Sequence, residues 1–234
     1  MEKMKKDLSK VRKDFNKNFK GNYIFDTNSN EFIINDKKVK ITKKIKIKVP
    51  KGATFELNTR HSKVKLPKGK TSGKVSYGSF KASDIEGGNL KISYSPVTIN
   101  SLKETTLSLN NVTDAKIASL TNSTLTSDSG GLEILEIFSG TNLKSSFGDV
   151  IIKKIDPALK NFVLTLNQSE ATINLVGFKD KLKIDTQGNR SKIFNYDKLS
   201  EKGKGMLLKG SFIITSNSGN LIINAKYSEL DIKQ

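Results

Sequence analysis

Cysteine is absent from the 234 residues, which removes disulfides, thiolate metal sites and cysteine nucleophiles together. Tryptophan is also absent, and proline occurs only four times. Histidine is confined to His61, so a Ser-His-Asp constellation has one base to draw on. The surrounding R-H-S supplies neither a nucleophile elbow nor an oxyanion context. Zinc sites lose their usual ligands for the same reason. Arginine is nearly as scarce, at Arg12, Arg60 and Arg190, and this makes nucleic acid the least favoured of the polyanions. No apolar run approaches the roughly 18 residues of a membrane-spanning helix. The opening M-E-K-M-K-K-D-L-S-K carries no apolar stretch behind its charges and reads as lacking a secretory leader. A cytoplasmic protein and a mature chain relieved of its leader both fit that opening.

What the chain does have is a repeat. Short apolar/polar alternations joined by a small or polar pair return every 17 or 18 residues from Val75 to Ile184. V-S-Y-G-S-F-K-A-S-D-I (Val75 to Ile85) is followed one period later by I-S-Y-S-P-V-T-I-N-S-L (Ile92 to Leu102). The landmarks recur at Leu109 with Ile117 and Leu120, at Leu125 with Ile134 and Ile137, and at Leu143 with Ile152 and Ile155. Period-2 alternation argues strands, and self-similarity at a fixed longer period argues stacked coils that shelter one another's aliphatic residues. The fold class expected is therefore all-β: a β-solenoid, a single-stranded β-helix-like stack of short strands, with a short N-terminal helix.

The boundaries follow from composition and period. Met1, Met4, Leu8, Val11, Phe15 and Phe19 form one helical stripe with lysines on the other sides, so residues 1–21 read as a basic amphipathic leader helix. Residues 22–234 read as the solenoid, with leading strands over 22–72, regular repeats over 73–194, a loop over 195–210 and terminal strands over 211–234. Within these, Phe162 to Leu175, Leu182 to Phe194 and Phe212 to Ala225 read as later copies, and Ser228 to Ile232 as a last edge strand.

Positive charge concentrates early. The formal net charge is +18, and residues 1–70 hold 21 Lys or Arg against 7 Asp or Glu. Lys38 to Val49 reads K-V-K-I-T-K-K-I-K-I-K-V, with Val39, Ile41, Ile45, Ile47 and Val49 on one parity and Lys38, Lys40, Lys44, Lys46 and Lys48 on the other. As a strand this predicts a lysine stripe over a buried aliphatic face, with alternate lysines about 6.6 Å apart. Lys63 and Lys65 repeat the pattern around Val64 and Leu66. Lys40, Lys44, Lys46, Lys48, Lys63 and Lys65 are thus the candidate polyanion-binding residues. A solvated strand face, or lysines that blunt a sheet edge, would have the same pattern.

From about Phe55 to Lys233 the chain resembles the adhesin β-strand-repeat family of bacterial cell-envelope proteins. The resemblance rests on T-R-H-S-K-V-K-L-P, on the V-S-Y-G-S-F-K, I-S-Y-S-P-V-T-I and S-S-F-G-D-V-I-I copies, and on the doublets Tyr77-Gly78, Tyr94-Ser95 and Phe147-Gly148. It covers about three quarters of the chain. It implies a β-solenoid, export to the periplasm or cell surface, and a non-catalytic adhesive or structural role. It carries no catalytic or ligand residues.

No chemistry-bearing motif competes with that reading. Asp84 with Glu86, Glu133 with Glu136, and Asp149 are the carboxylates best placed for glycosidase work, which needs two such groups across a scissile bond. Each also sits where an exposed face or turn would carry a solvated acid. S-D-S-G-G-L-E-I at Ser127 to Ile134 lacks the recurring aspartate of calcium-binding repeats. The expectation is a non-enzyme with no cofactor and no metal, whose partner is an envelope component. The alternative is a binding module for an acidic polysaccharide or other polyanion.

Overall fold

A strand with aliphatic residues on one parity must bury that face, and when the next such strand follows 17 residues later the cheapest cover is its own neighbour in parallel register. The computed structural model shows this arrangement: an all-β chain with parallel strands stacked into a β-solenoid of about seven turns. The structure describes residues 23–26, 31–34, 37–40, 44–188, 192–194 and 206–233. Among them there is no helix, and the leader expected over residues 1–21 lies outside the described residues.

The chain divides into two compact units, Met1–Lys48 and Val49–Gln234. The boundary therefore falls well after the one drawn from sequence at residue 22. The first unit contains β1 (Tyr23–Asp26), β2 (Glu31–Ile34) and β3 (Lys37–Lys40). These form a three-stranded antiparallel sheet in sequence order, not solenoid coils.

In the second unit the opening strands are β4 (Thr54–Arg60), β5 (Lys63–Leu66), β6 (Lys70–Ser76), β7 (Ser79–Ser93) and β8 (Val97–Asn110). They are followed by β9 (Ala115–Thr121), β10 (Thr124–Asp128), β11 (Gly131–Ile137), β12 (Asn142–Ser146) and β13 (Asp149–Ile152). Then come β14 (Phe162–Asn167), β15 (Glu170–Asn174), β16 (Leu182–Thr186), β17 (Lys192–Phe194), β18 (Met206–Ser216) and β19 (Leu221–Lys233).

Two parallel ladders run through the stack. The first contains β4, β6, the later halves of β7 and β8, β10, β12, β14 and the first half of β19. The second contains β5, the earlier halves of β7 and β8, β9, β11, β13, β15 and the second half of β19. The core lies between them: Leu90, Leu107, Leu125, Leu143, Leu164 and Ile223 line up from one ladder, and Ile99, Ile117, Ile134, Ile152, Ile173 and Ile232 from the other. All are buried.

Insertions are absorbed at the exit end. Between Leu143 and Leu164, which share a register position, the added residues over 153–161 make a loop that tucks Leu159 into the core. Leu182 to Phe194, expected as another copy, instead forms β16 and β17, which pair antiparallel with β18. Met206–Gly210, expected as loop, is the start of β18. Ser228 to Ile232 is not an edge, since β19 lies between β15 and the antiparallel β18. A parallel stack ends in a row of unpaired backbone groups, and an antiparallel hairpin is the closure that hides it.

The clearest departure from expectation is Lys44 to Val49. These residues pair with no strand among the described residues and are exposed throughout, with Ile45 87% and Ile47 76% accessible. Alternation specifies which face a strand would bury, but it supplies neither the neighbouring edge nor the core that face requires. Of the single strand expected over Lys38 to Val49, residues 38–40 belong to β3 and residues 44–49 to no strand.

Candidate polyanion-binding corner

Each coil turns from the first ladder to the second through a two-residue corner. Its first residue is left-handed at eight successive levels: His61, Tyr77, Tyr94, Asn111, Ser129, Phe147, Gln168 and Tyr227. The φ values run from 48° to 56° across the set, a region that costs a non-glycine residue of order 1–2 kcal/mol. The backbone fixes it there. The N–H of Tyr77 donates to the Ser93 carbonyl, that of Tyr94 to Asn110, that of Asn111 to Asp128 and that of Phe147 to Asn167, at 2.8–3.2 Å.

The second corner residue is glycine or serine at every level but that of Val112, and for the glycines the reason is steric. A Cβ on Gly78 would overlap the Ser62 carbonyl, and one on Gly148 would overlap Gly130. Where serine takes the place, its hydroxyl bonds the backbone: Ser95 Oγ accepts from Gly78 N at 2.9 Å and donates to the Ser93 carbonyl at 2.9 Å. The aromatic-small doublets in the sequence are these corners.

Because adjacent coils are about 4.8 Å apart, equivalent aromatic side chains meet. Tyr77 and Tyr94 stack at 4.8 Å with their planes 4° apart, and His61 stacks on Tyr77 at 5.4 Å. The Arg60 guanidinium sits 5.0 Å from the Tyr77 ring centroid. Such contacts are worth about 0.5–1.5 kcal/mol each, comparable to the cost of the left-handed backbone. Tyr77 and Tyr94 remain about half exposed, so the stack presents ring edges and hydroxyls to solvent.

Cations flank this corner on both sides. On the second ladder Lys65 and Lys81 are register neighbours, with Lys63 beside them. On the first ladder Lys74 and Lys91 are register neighbours. All five are exposed, and none is in an ion pair among the described residues. Elsewhere lysines find acids. Lys68 meets Glu86 at 2.8 Å and Lys154 meets Glu136 at 2.6 Å. In both pairs the hydrogen bond, then the carboxylate's charge, holds the ammonium above the ordinary lysine range.

The sequence-derived lysines therefore separate. Lys63 and Lys65 lie on a strand with outward parity, over the half-buried Val64 and Leu66. Lys44, Lys46 and Lys48 are exposed outside any strand, and Lys40 ends β3. Lys74, Lys81, Lys91 and Arg60 were missed. Their signal was the repeat period itself, which superimposes Lys65 on Lys81 and Lys74 on Lys91.

No family model, curated protein or solved structure matches this chain. Of the carboxylates weighed for glycosidase chemistry, Asp84 accepts from Asn100 at 3.0 Å, Glu86 and Glu136 are paired as above, and Glu133 meets Lys153 at 3.5 Å. No group of three or more metal-ligating side chains occurs among the described residues. His61 is engaged in the aromatic stack.

Proposed function

We propose that the chain is a non-catalytic recognition module whose solenoid binds an acidic polysaccharide at its first coils. The observation that carries this reading is the pair of in-register lysine doublets, Lys65 with Lys81 and Lys74 with Lys91, without acidic partners on either side of the aromatic corner. Like charges one coil apart repel, and an anionic polymer laid against them relieves that repulsion. The exposed tyrosine hydroxyls add hydrogen-bonding groups suited to sugar hydroxyls.

Binding to an immobilised acidic polysaccharide tests the reading. The wild-type protein is expected to elute late and to shift steeply earlier as ionic strength rises. A variant with Arg60, Lys63, Lys65, Lys74, Lys81 and Lys91 all replaced by glutamine is expected to pass through. Coelution of the two proteins would remove the proposal.

Placement at the cell envelope, as an adhesin or structural module, is the second part of the proposal and is supported by the resemblance of the repeat. It predicts that protease added to intact cells digests the native protein. Digestion only after lysis would exclude an adhesive role.

A further inference from the structure

The outer faces of the two ladders have different chemistry. On the second ladder the outward positions alternate lysines with Asp84, Glu86, Glu133, Glu136, Asp149, Glu170, Glu229 and Asp231, several of them ion-paired. On the first ladder, between Ser72 and Lys226, the outward strand positions carry one carboxylate, Asp128, with Glu104 exposed at the corner that opens the later half of β8. Serine, threonine, asparagine and lysine fill most of the remainder.

The register of this face places one column along the stacking direction: Lys74, Lys91, Ser108, Thr126, Lys144, Thr165 and Asn224. Neighbours in the column are about 4.8 Å apart. It holds cations at both ends of a hydroxyl-lined middle and no acid. At its far end the column enters a groove of about 590 Å³, lined by Lys144, Thr165, Asn167, Asn224 and Lys226. Gln187 and Ser211, from the hairpin that closes the stack, add further polar groups, Leu166, Ile213 and Ala225 supply an apolar part, and no carboxylate is in the lining.

We infer that a linear acidic polysaccharide lies along this column, entering beside the tyrosine corner at Lys74 and Lys91 and seating an acidic sugar in the groove at Lys144 and Lys226. This rests on the polyanion reading above and adds to it a path, a direction and a second subsite. Charge complementarity selects the ligand class. The lysines suit carboxylate or sulfate groups, the hydroxyl and amide side chains suit sugar hydroxyls, and a column without acids, beside which Asp128 is the one strand carboxylate, imposes less repulsion than the second ladder's face would. A strand-to-strand column is straight over several coils, so it fits an extended chain rather than a compact ligand.

Size-fractionated oligomannuronate, a linear uronic-acid polymer, tests this with the full chain. Affinity is expected to rise with oligomer length and to level off once the oligomer spans Lys74 to Lys144, four coil steps or about 19 Å. Two variants remove equal charge from opposite faces. Lys74→Gln/Lys91→Gln/Lys144→Gln is expected to weaken binding at least about tenfold, and Lys63→Gln/Lys65→Gln/Lys81→Gln less than about threefold, since the first set lies along the whole path and the second meets the ligand only where it enters beside the corner. Thr126→Glu, which puts an acid in mid-column, is expected to weaken binding by a similar tenfold, with an unchanged melting temperature in all three proteins. Equal losses from the two faces, a larger loss from the second, or indifference to Thr126→Glu would overturn the path and leave the polyanion reading standing. Failure of the wild-type protein to bind any acidic oligomer would overturn both.

Discussion

At the residue scale the determining choice is which side chain tolerates a left-handed corner. Glycine or asparagine is the inexpensive solution, and Asn111 uses it, whereas Tyr77, Tyr94, Phe147 and Tyr227 do not. Stacking offsets the cost where aromatics are consecutive. Phe147 and Tyr227 lack an aromatic neighbour one coil away, and Tyr227 has Lys226 over its ring at 5.5 Å instead. A second local device ties the closing hairpin to its turn. Ser218 donates its hydroxyl and its backbone N–H to Asp180 Oδ2. The hydroxyl first, then the backbone N–H, hold the Asp180 carboxyl below its ordinary value. A carboxyl lowered on folding stabilises the native state above its unfolded pKa, near 3.9, and loses that contribution as pH falls through the folded value. Ser218→Ala should therefore move the Asp180 titration, followed by NMR at its carboxyl carbon, upward toward the ordinary value. An unmoved midpoint would show that the serine is not the cause.

At the element scale, alternation and burial separate cleanly. Ile134 stands between Ile117 and Ile152 in register and is fully buried, whereas Lys65 projects outward from β5. Placing a lysine at Ile134 puts an unpaired charge in the core and removes the packing of a large aliphatic group, a combination at the severe end of single substitutions. Ile134→Lys is expected to cost at least about 3 kcal/mol and Lys65→Gln less than about 0.5 kcal/mol, measured by urea denaturation. Comparable midpoints would invert the inward and outward assignments. Lys44 to Val49 illustrates the converse. Its alternation is as regular as that of β5, yet it has no strand partner, so Ile45 and Ile47 face solvent. Pattern names the face, and a neighbouring strand decides whether that face is used.

At the scale of the whole molecule, what was legible in the residues was the repeat, the all-β class and the inward column: Leu109, Ile134 and Ile152 are buried as their spacing requires. Period and parity are local quantities, and a stacked fold reuses them at every coil, so the order of residues suffices to determine them. The rest depended on partners distant along the chain. Leu182 to Phe194 has the alternation of a coil, but its strands β16 and β17 pair antiparallel with β18. The tyrosine stack, the lysine doublets and the acid-free column arise only when coils 17 or 18 residues apart are brought side by side. The sequence by itself determined which side chains point inward and how often the chain turns, because those follow from backbone geometry and hydrophobic burial. Only the tertiary structure decided which outward side chains become neighbours, because coil-to-coil register, not sequence adjacency, sets the distances over which charges and rings interact.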